Sequence, residues 1–330
     1  MAVLPPDPVF TLRCAEMGPV NSLCFHRNER LLAGTTKGKI FLWDLSTNRS
    51  SLHFEIGGGH QQPITALHHT DDELLISQEK GGTITLWQMT NTGYKRQIVL
   101  PANYTGYCRS VLYNNSNCQD DPLLFYPCDE NTIGVLHTSD PENSVQMLVP
   151  DETHLTGANK LGTLNCLKPF EHASQLFCLA GYESGHFLTW DLSSGMIIDI
   201  AQLDADPMAV DYDPHTNRGI AGGPGDKIST FSYQRKIMRF QRSSDIALKN
   251  PGLNCIRIRQ DNKVFCTGGW DGRVRIFSWK SLRPLAVLTE HKSGAIMDIA
   301  YSSGPVAMWK APIMAVAGMD SQISLWNLYN

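Results

Sequence analysis

The stretch CTGGWDGRVRIFSWKS, residues 266–281, decides how the chain is read. Its small residues Cys266-Thr267-Gly268-Gly269 suit a closely packed strand, Asp271-Gly272 suits a tight turn, and Val274-Arg275-Ile276-Phe277 leads into an alternating strand. The frame recurs. With Phe277 as anchor and the turn residue six positions earlier, it also fits Lys37 to Trp43, Gly81 to Trp87, Glu130 to Leu136, Ser184 to Trp190, Gly225 to Phe231 and Asp320 to Trp326. Three and one positions before the anchors stand Ile40/Leu42, Ile84/Leu86, Ile133/Val135, Phe187/Thr189, Ile228/Thr230, Val274/Ile276 and Ile323/Leu325. Anchor spacings of 41 to 54 residues match four-stranded units of roughly 40–45 residues joined by uneven loops.

One small sheet cannot bury both of its faces, whereas sheets stacked radially cover one another and leave only short edges. The expected fold is therefore all-β, a seven-bladed β-propeller. Closing it needs a clasp. Val9-Phe10-Thr11-Leu12-Arg13 alternates like a strand and is expected to supply the outer strand of the last blade, where Leu328-Tyr329-Asn330 also ends. Trp43-Asp44 and Trp190-Asp191 resemble the Trp-Asp ends of WD40 repeats, and the resemblance covers nearly the whole chain. The copies ending Leu136-His137 and Phe231-Ser232 are degenerate. The expected organisation is a lead over 1–8 and a propeller over 9–330, with blades at about 19–54, 61–100, 104–150, 163–202, 207–242, 252–288 and 291–326.

Hydrophobic residues make up 42% and charged residues 18% of the 330, which suits a packed protein rather than a disordered one. A net charge of −4 gives no basic footprint for nucleic acid or an anionic membrane. The nine cysteines show no CxxC pair and no zinc-finger spacing, and several, such as Cys166, Cys178, Cys255 and Cys266, sit in apolar strands. With no signal-peptide pattern and no apolar run of spanning length, a reducing compartment, cytoplasmic and nuclear, is the expectation.

No catalytic, cofactor or metal constellation emerges. Gly222-Gly223-Pro224-Gly225-Asp226-Lys227 lacks the Gly-Lys-Ser/Thr and the helix of a phosphate loop. His68 and His69, as strand neighbours, should face opposite ways, one buried and one solvated. Asp204, Asp206, Asp211 and Asp213 could seat a cation but, without EF-hand spacing, read as a solvated loop, and Arg235, Lys236, Arg239, Arg242, Arg257 and Arg259 read as a basic edge that blocks strand pairing ahead of one that receives a partner's acidic segment. Polar insertions at Asn114–Asp121 and Asp151–Lys160 are tolerated loops or contact points.

The residue before each turn should lie on the rim of one face: Thr36, Lys80, Asp129, Glu183, Pro224, Trp270 and Met319. Trp270 and Met319, from adjacent blades, make an anchor pair, because aromatic residues and Met are enriched at interfaces; the alternative is that Trp270 folds down over its own sheet. The WD40 resemblance further implies structural roles for Trp43, Asp44, Trp87, Trp190, Asp191 and Asp271, and a His-Asp-Trp network. That network is incomplete at Gly59-His60, whose turn position is Gly81, and most complete at His291, Asp320 and Trp326.

PPDPVFTLR at the N-terminus, YCRS at 107–110, LAGYESG at 179–185, RGIAG at 218–222, NPG at 250–252, the run TGGWDGRVRIFSWKSLRPLAVLTEH at 267–291 and the terminal ISLWNLY are together similar to the guanine nucleotide-binding protein β-subunit-like protein 1 and ASTRA-associated WD-repeat family. This resemblance implies a non-enzymatic adaptor acting with the TTT cochaperone complex in Hsp90-dependent maturation of phosphatidylinositol-3-kinase-related kinases, in DNA-damage and growth signalling. It implies protein partners, with no nucleic acid, membrane or small-molecule substrate, and a monomer when alone. Two other readings stay open. A cullin-type ubiquitin-ligase receptor is suggested by Trp270-Asp271-Gly272-Arg273, although this WDxR lies on the turn before its strand. A histone or phospho-peptide reader would draw on Trp270 and Arg109.

Overall fold

The computed structural model describes residues 6–55, 62–91, 93–114, 121–151, 160–203, 206–234 and 239–328. The chain folds as a seven-bladed β-propeller of seven four-stranded antiparallel sheets, with no helix among the described residues. The blades run over 20–55, 64–100, 111–148, 164–202, 209–247, 253–288 and 296–326. The seventh is completed by Phe10–Arg13, which pairs antiparallel with Gln322–Trp326 in the register Phe10↔Leu325 to Arg13↔Gln322. The expected clasp is thus present. Blade three starts at Val111 rather than 104, and blade five continues to Ala247 rather than 242. The first shift has a local cause: Tyr104, fully buried, donates its hydroxyl to the Leu164 carbonyl and accepts from the Cys108 amide, which holds 104–108 as a loop.

The described strands group into two compact units. One draws on Met1–Lys80, Thr85–Gln97 and Asn250–Asn330, and the other on Gly81–Ile84 and Ile98–Lys249. In the first unit the first strands of successive blades pack in the order Leu253–Ile258, Ile296–Tyr301, Val20–His26 and Ile64–His69. In the second the order is Val111–Tyr113, Leu164–His172 and Ala209–Asp213.

Alternation explains why the third strand carries the repeat signature. In blade one, Ile40 and Leu42 face a core shared with Ile64, Leu75 and Trp87 of blade two, while Phe41 and Trp43 face Leu12, Val306 and Leu325 of blade seven. Both faces of one strand are therefore covered by neighbours, as successive side chains on opposite sides require. Blade four repeats the device, with Phe187 on the blade-five side and Leu188 and Trp190 on the blade-three side. All seven anchors are buried, at 6% exposure or less. A bulge recurs just before four of them, at Leu42/Trp43, Thr189/Trp190, Thr230/Phe231 and Ile276/Phe277, and shifts the fourth strand by one residue.

Blade seven carries the complete polar clamp. Buried His291 bonds Asp320 Oδ1 through Nδ1 at 2.8 Å and Ser324 Oγ through Nε2 at 2.8 Å, and Trp326 Nε1 donates to the same hydroxyl at 2.8 Å. Ser324, two residues before the anchor, is the link that the three-residue reading lacked. Blade two keeps a different half: Trp87 Nε1 donates to Ser77 Oγ on the second strand. Ser324→Ala leaves an indole N–H and an imidazole nitrogen without their buried partner and should cost about 2 kcal/mol of stability, measurable by urea denaturation followed by tryptophan fluorescence.

The Trp-Asp aspartates brace turns. Asp44 accepts from the Ser46 amide at 2.8 Å and its hydroxyl at 2.6 Å, bonds that hold its carboxyl below the usual range. Asp191 accepts likewise from Ser193 and Ser194.

Three expectations need correction. Asp211 and Asp213 lie in a strand and are buried, not in a solvated loop: Asp211 meets Lys168 Nζ at 2.6 Å, and Asp213 accepts from the His215 amide and the Thr216 hydroxyl. Arg257 and Arg259 do not continue a basic edge. Arg257 reaches Asp298, and Arg259, 5% exposed, pairs bidentately with Asp261 and donates to the Leu328 carbonyl. Of the remainder of that edge, Arg242 pairs with Asp245 on its own strand. His68 and His69 are both half-buried, because His69 stacks on a ring from the neighbouring blade. Gly57–His60, Asn115–Asp120, 152–159, Asp204, Arg235, Lys236, Tyr329 and Asn330 lie outside the described residues.

Candidate partner-binding face

Each rim residue follows a second strand: Thr36 after Arg30–Thr35, Lys80 after Leu74–Glu79, Asp129 after Leu123–Pro127, Glu183 after Gln175–Tyr182, Pro224 after Arg218–Gly222, Trp270 after Val264–Gly269 and Met319 after Met314–Gly318. Five of them share one backbone device. The amides of Thr36, Lys80, Glu183, Trp270 and Met319 donate to the carbonyls of Pro19, Pro63, Thr163, Gly252 and Ala295, at 2.8–3.0 Å, each just ahead of its own blade's first strand. Asp129 and Pro224, of blades three and five, are exposed on their turns.

In the first unit, Trp270 is the largest exposed apolar side chain, at 44%. Its indole sits over Gly252, where a Cβ would come within 2.4 Å of the ring carbons, and its Nε1 donates to Asn254 Oδ1 at 2.8 Å. Gly252, at φ +89°, is thus required twice over, which accounts for the NPG at 250–252. The ring lies against its own sheet and still presents its outer side. Its mount is rigid.

Asp271 beneath it is held below the usual carboxylate range: burial pushes it up, and bonds from Arg275 and Asn250 outweigh that. Arg275, not the Arg273 of the WDxR-like string, makes the bidentate contact at 3.1 and 2.6 Å. Met319, 38% exposed, flanks Gly294, and Gly272 beside Trp270 packs against the carbonyls of His291 and Gly294. The two anchors stand on either side of the 291–294 loop.

In the second unit, Glu183 lines a cleft of about 280 Å³ with Tyr107, Asn165 and Asp206. Tyr107 is 67% exposed. Asp206 accepts from Asn165 Nδ2 at 2.6 Å, and burial, reinforced by the Glu183 charge, raises its carboxyl. Two carboxylates beside an aromatic ring suit a basic side chain. Tyr107 and Asp206 were missed as rim residues because they precede first strands, although Tyr107 opens the YCRS string. Arg109, half-buried in the same pre-strand loop, falls in a different unit from Trp270.

Among the described residues, one group has metal-ligand chemistry: His26, His69 and Glu73, in the first unit.

The WD domain, G-beta repeat family profile matches residues 6–44 and 247–278. Guanine nucleotide-binding protein subunit beta-like protein 1 of Mus musculus is 28% identical over 98% of this chain and 97% of its own length. ASTRA-associated protein 1 of Schizosaccharomyces pombe is 27% identical over 98% of this chain and 99% of its own length, and that of Penicillium rubens is 26% identical over 88% and 80%. WD40 propellers are generally non-enzymatic scaffolds for protein contacts. The recurring anchors, the N-terminal clasp and the length-wide similarity together show a propeller that carries WD40 repeats and is similar along its length to G-protein β-like protein 1 and ASTRA-associated protein 1.

Proposed function

We propose that this protein is a non-enzymatic adaptor that joins a cochaperone assembly of the TTT type and supports the maturation of phosphatidylinositol-3-kinase-related kinases, in cytoplasm and nucleus. The name shared by its fungal relatives supports the ASTRA connection, and their match runs along the chain rather than through one repeat. The observation that carries the adaptor role is the rim: equivalent positions fixed by one backbone device bear unlike chemistry, apolar at Trp270 and Met319, acidic at Glu183, basic at Lys80. A rigid frame with variable tips is how a scaffold distinguishes partners.

Affinity purification of the tagged full chain with mass spectrometry tests this. Enrichment of cochaperone subunits and kinase clients is the expected result. Enrichment of cullin adaptors, or of histones, in their place would transfer the assignment to a ligase receptor or a chromatin reader.

A further inference from the structure

His26 ends the strand Val20–His26 of blade one, and His69 ends Ile64–His69 of blade two. Their rings stack at 3.7 Å between centroids with 16° between planes. Glu73, on the turn after His69, sets Oε2 3.6 Å from His26 Nε2. One donor atom from each of the three lies within 4.8 Å of the others. His26 is 4% exposed, and neither of its ring nitrogens has a hydrogen-bond partner among the described residues. A buried imidazole with neither nitrogen hydrogen-bonded is costly unless something else engages it.

The backbone around the group is unusual as well. Arg27 and Asn28 are consecutive non-glycine residues at φ +48° and +51°, and Glu73 itself stands at φ +62°. Such conformations cost energy and gather at functional positions. Here they bring two turns from different blades face to face.

We propose that His26, His69 and Glu73 form a binding site for a divalent transition metal of the zinc class, with a fourth position left for water or a partner's side chain. Two imidazoles and one carboxylate are the donor set of open zinc sites, in which ligands about 2.0–2.2 Å from the ion stand roughly 3.3 Å apart. Reaching that spacing takes a contraction of the present group and a fanning apart of the stacked rings, so that both lone pairs meet one ion. His69 is the half-exposed member, held at Nε2 by the Tyr94 hydroxyl at 3.1 Å.

Burial lowers the His26 pKa and takes that of His69 down to about 4. Arg27 Nη2, 2.5 Å from Glu73 Oε1, is 66% exposed and serves as the neighbour that orients the carboxylate. The ion would pin blade one to blade two at this turn.

The test uses the purified full chain, cleared with chelator, titrated with ZnCl2 by calorimetry and with Co2+ by visible absorption. Expected are one Zn2+ per chain at micromolar affinity or better, a fall of roughly tenfold or more in Glu73→Gln, and loss in His69→Asn. Circular dichroism establishes that both variants fold. Co2+ should give ligand-field bands without the near-ultraviolet thiolate band, which separates this site from the cysteines. Absence of saturable binding at micromolar Zn2+, binding unchanged in both variants, or a thiolate band would overturn the assignment.

Discussion

Asp298→Ala is expected to lower the unfolding free energy by about 3 kcal/mol. Asp298, 4% exposed, accepts the Leu23 amide of blade one at 2.9 Å through Oδ2 and its own neighbour's amide through Oδ1. Arg257 of blade six approaches the same Oδ1 at 3.3 Å. One carboxylate thus ties three blades of the first unit. Alanine leaves the Leu23 amide, inside the blade-one and blade-seven core, without its acceptor. The Arg257 charge, 40% exposed, returns partly to water, so its share of the loss is small.

Asp298→Asn keeps an acceptor for Leu23 and should lose about half as much. Equilibrium denaturation in urea of both variants checks the difference. Equal losses would show that charge, not the amide bond, carries the contribution. Lys168 and Asp211, 2.6 Å apart on the first strands of blades four and five, occupy the equivalent positions in the second unit. A basic residue on one first strand and a carboxylate on the next is therefore a repeated fastening of this chain.

The second large effect belongs to the rim. Replacing Trp270 and Met319 together by glutamate should weaken association with the proposed cochaperone partner at least tenfold, the scale set by removing an aromatic anchor from an interface centre. Stability should change by about 1 kcal/mol or less, because both side chains are substantially exposed, at 44% and 38%. Trp270 is held on one side by Gly252 and at its N–H by Asn254, so little ordering entropy is lost when a partner covers it. Quantitative pull-down, paired with melting curves, separates the two contributions. An unaltered pull-down would move the interface off this pair and toward the acidic cleft of Tyr107, Glu183 and Asp206.

The fold was legible because its evidence is local. A turn residue six positions before an anchor, and apolar residues one and three before it, record a strand covered on both faces, and no distant partner need be known to see it. Asp44 and Asp191 were likewise readable as turn braces from residues two and three positions away. The clasp Phe10–Arg13 was legible from the same arithmetic, since a seventh repeat one strand short requires a strand from elsewhere.

What the chain alone determined, then, is the repeat, its number and its closure. Which polar groups meet was decided by stacking. His26 and His69 are separated by a whole blade in sequence and 3.7 Å apart in space, and Leu23 bonds a carboxylate 275 positions away. Arg275 rather than Arg273 holds Asp271 bidentately, Arg273 standing ahead of the strand Val274–Ser278 and Arg275 within it. Period-two patterning tells which side of a sheet a residue takes, but a neighbour on the next sheet depends on register between blades, and only the folded chain sets that.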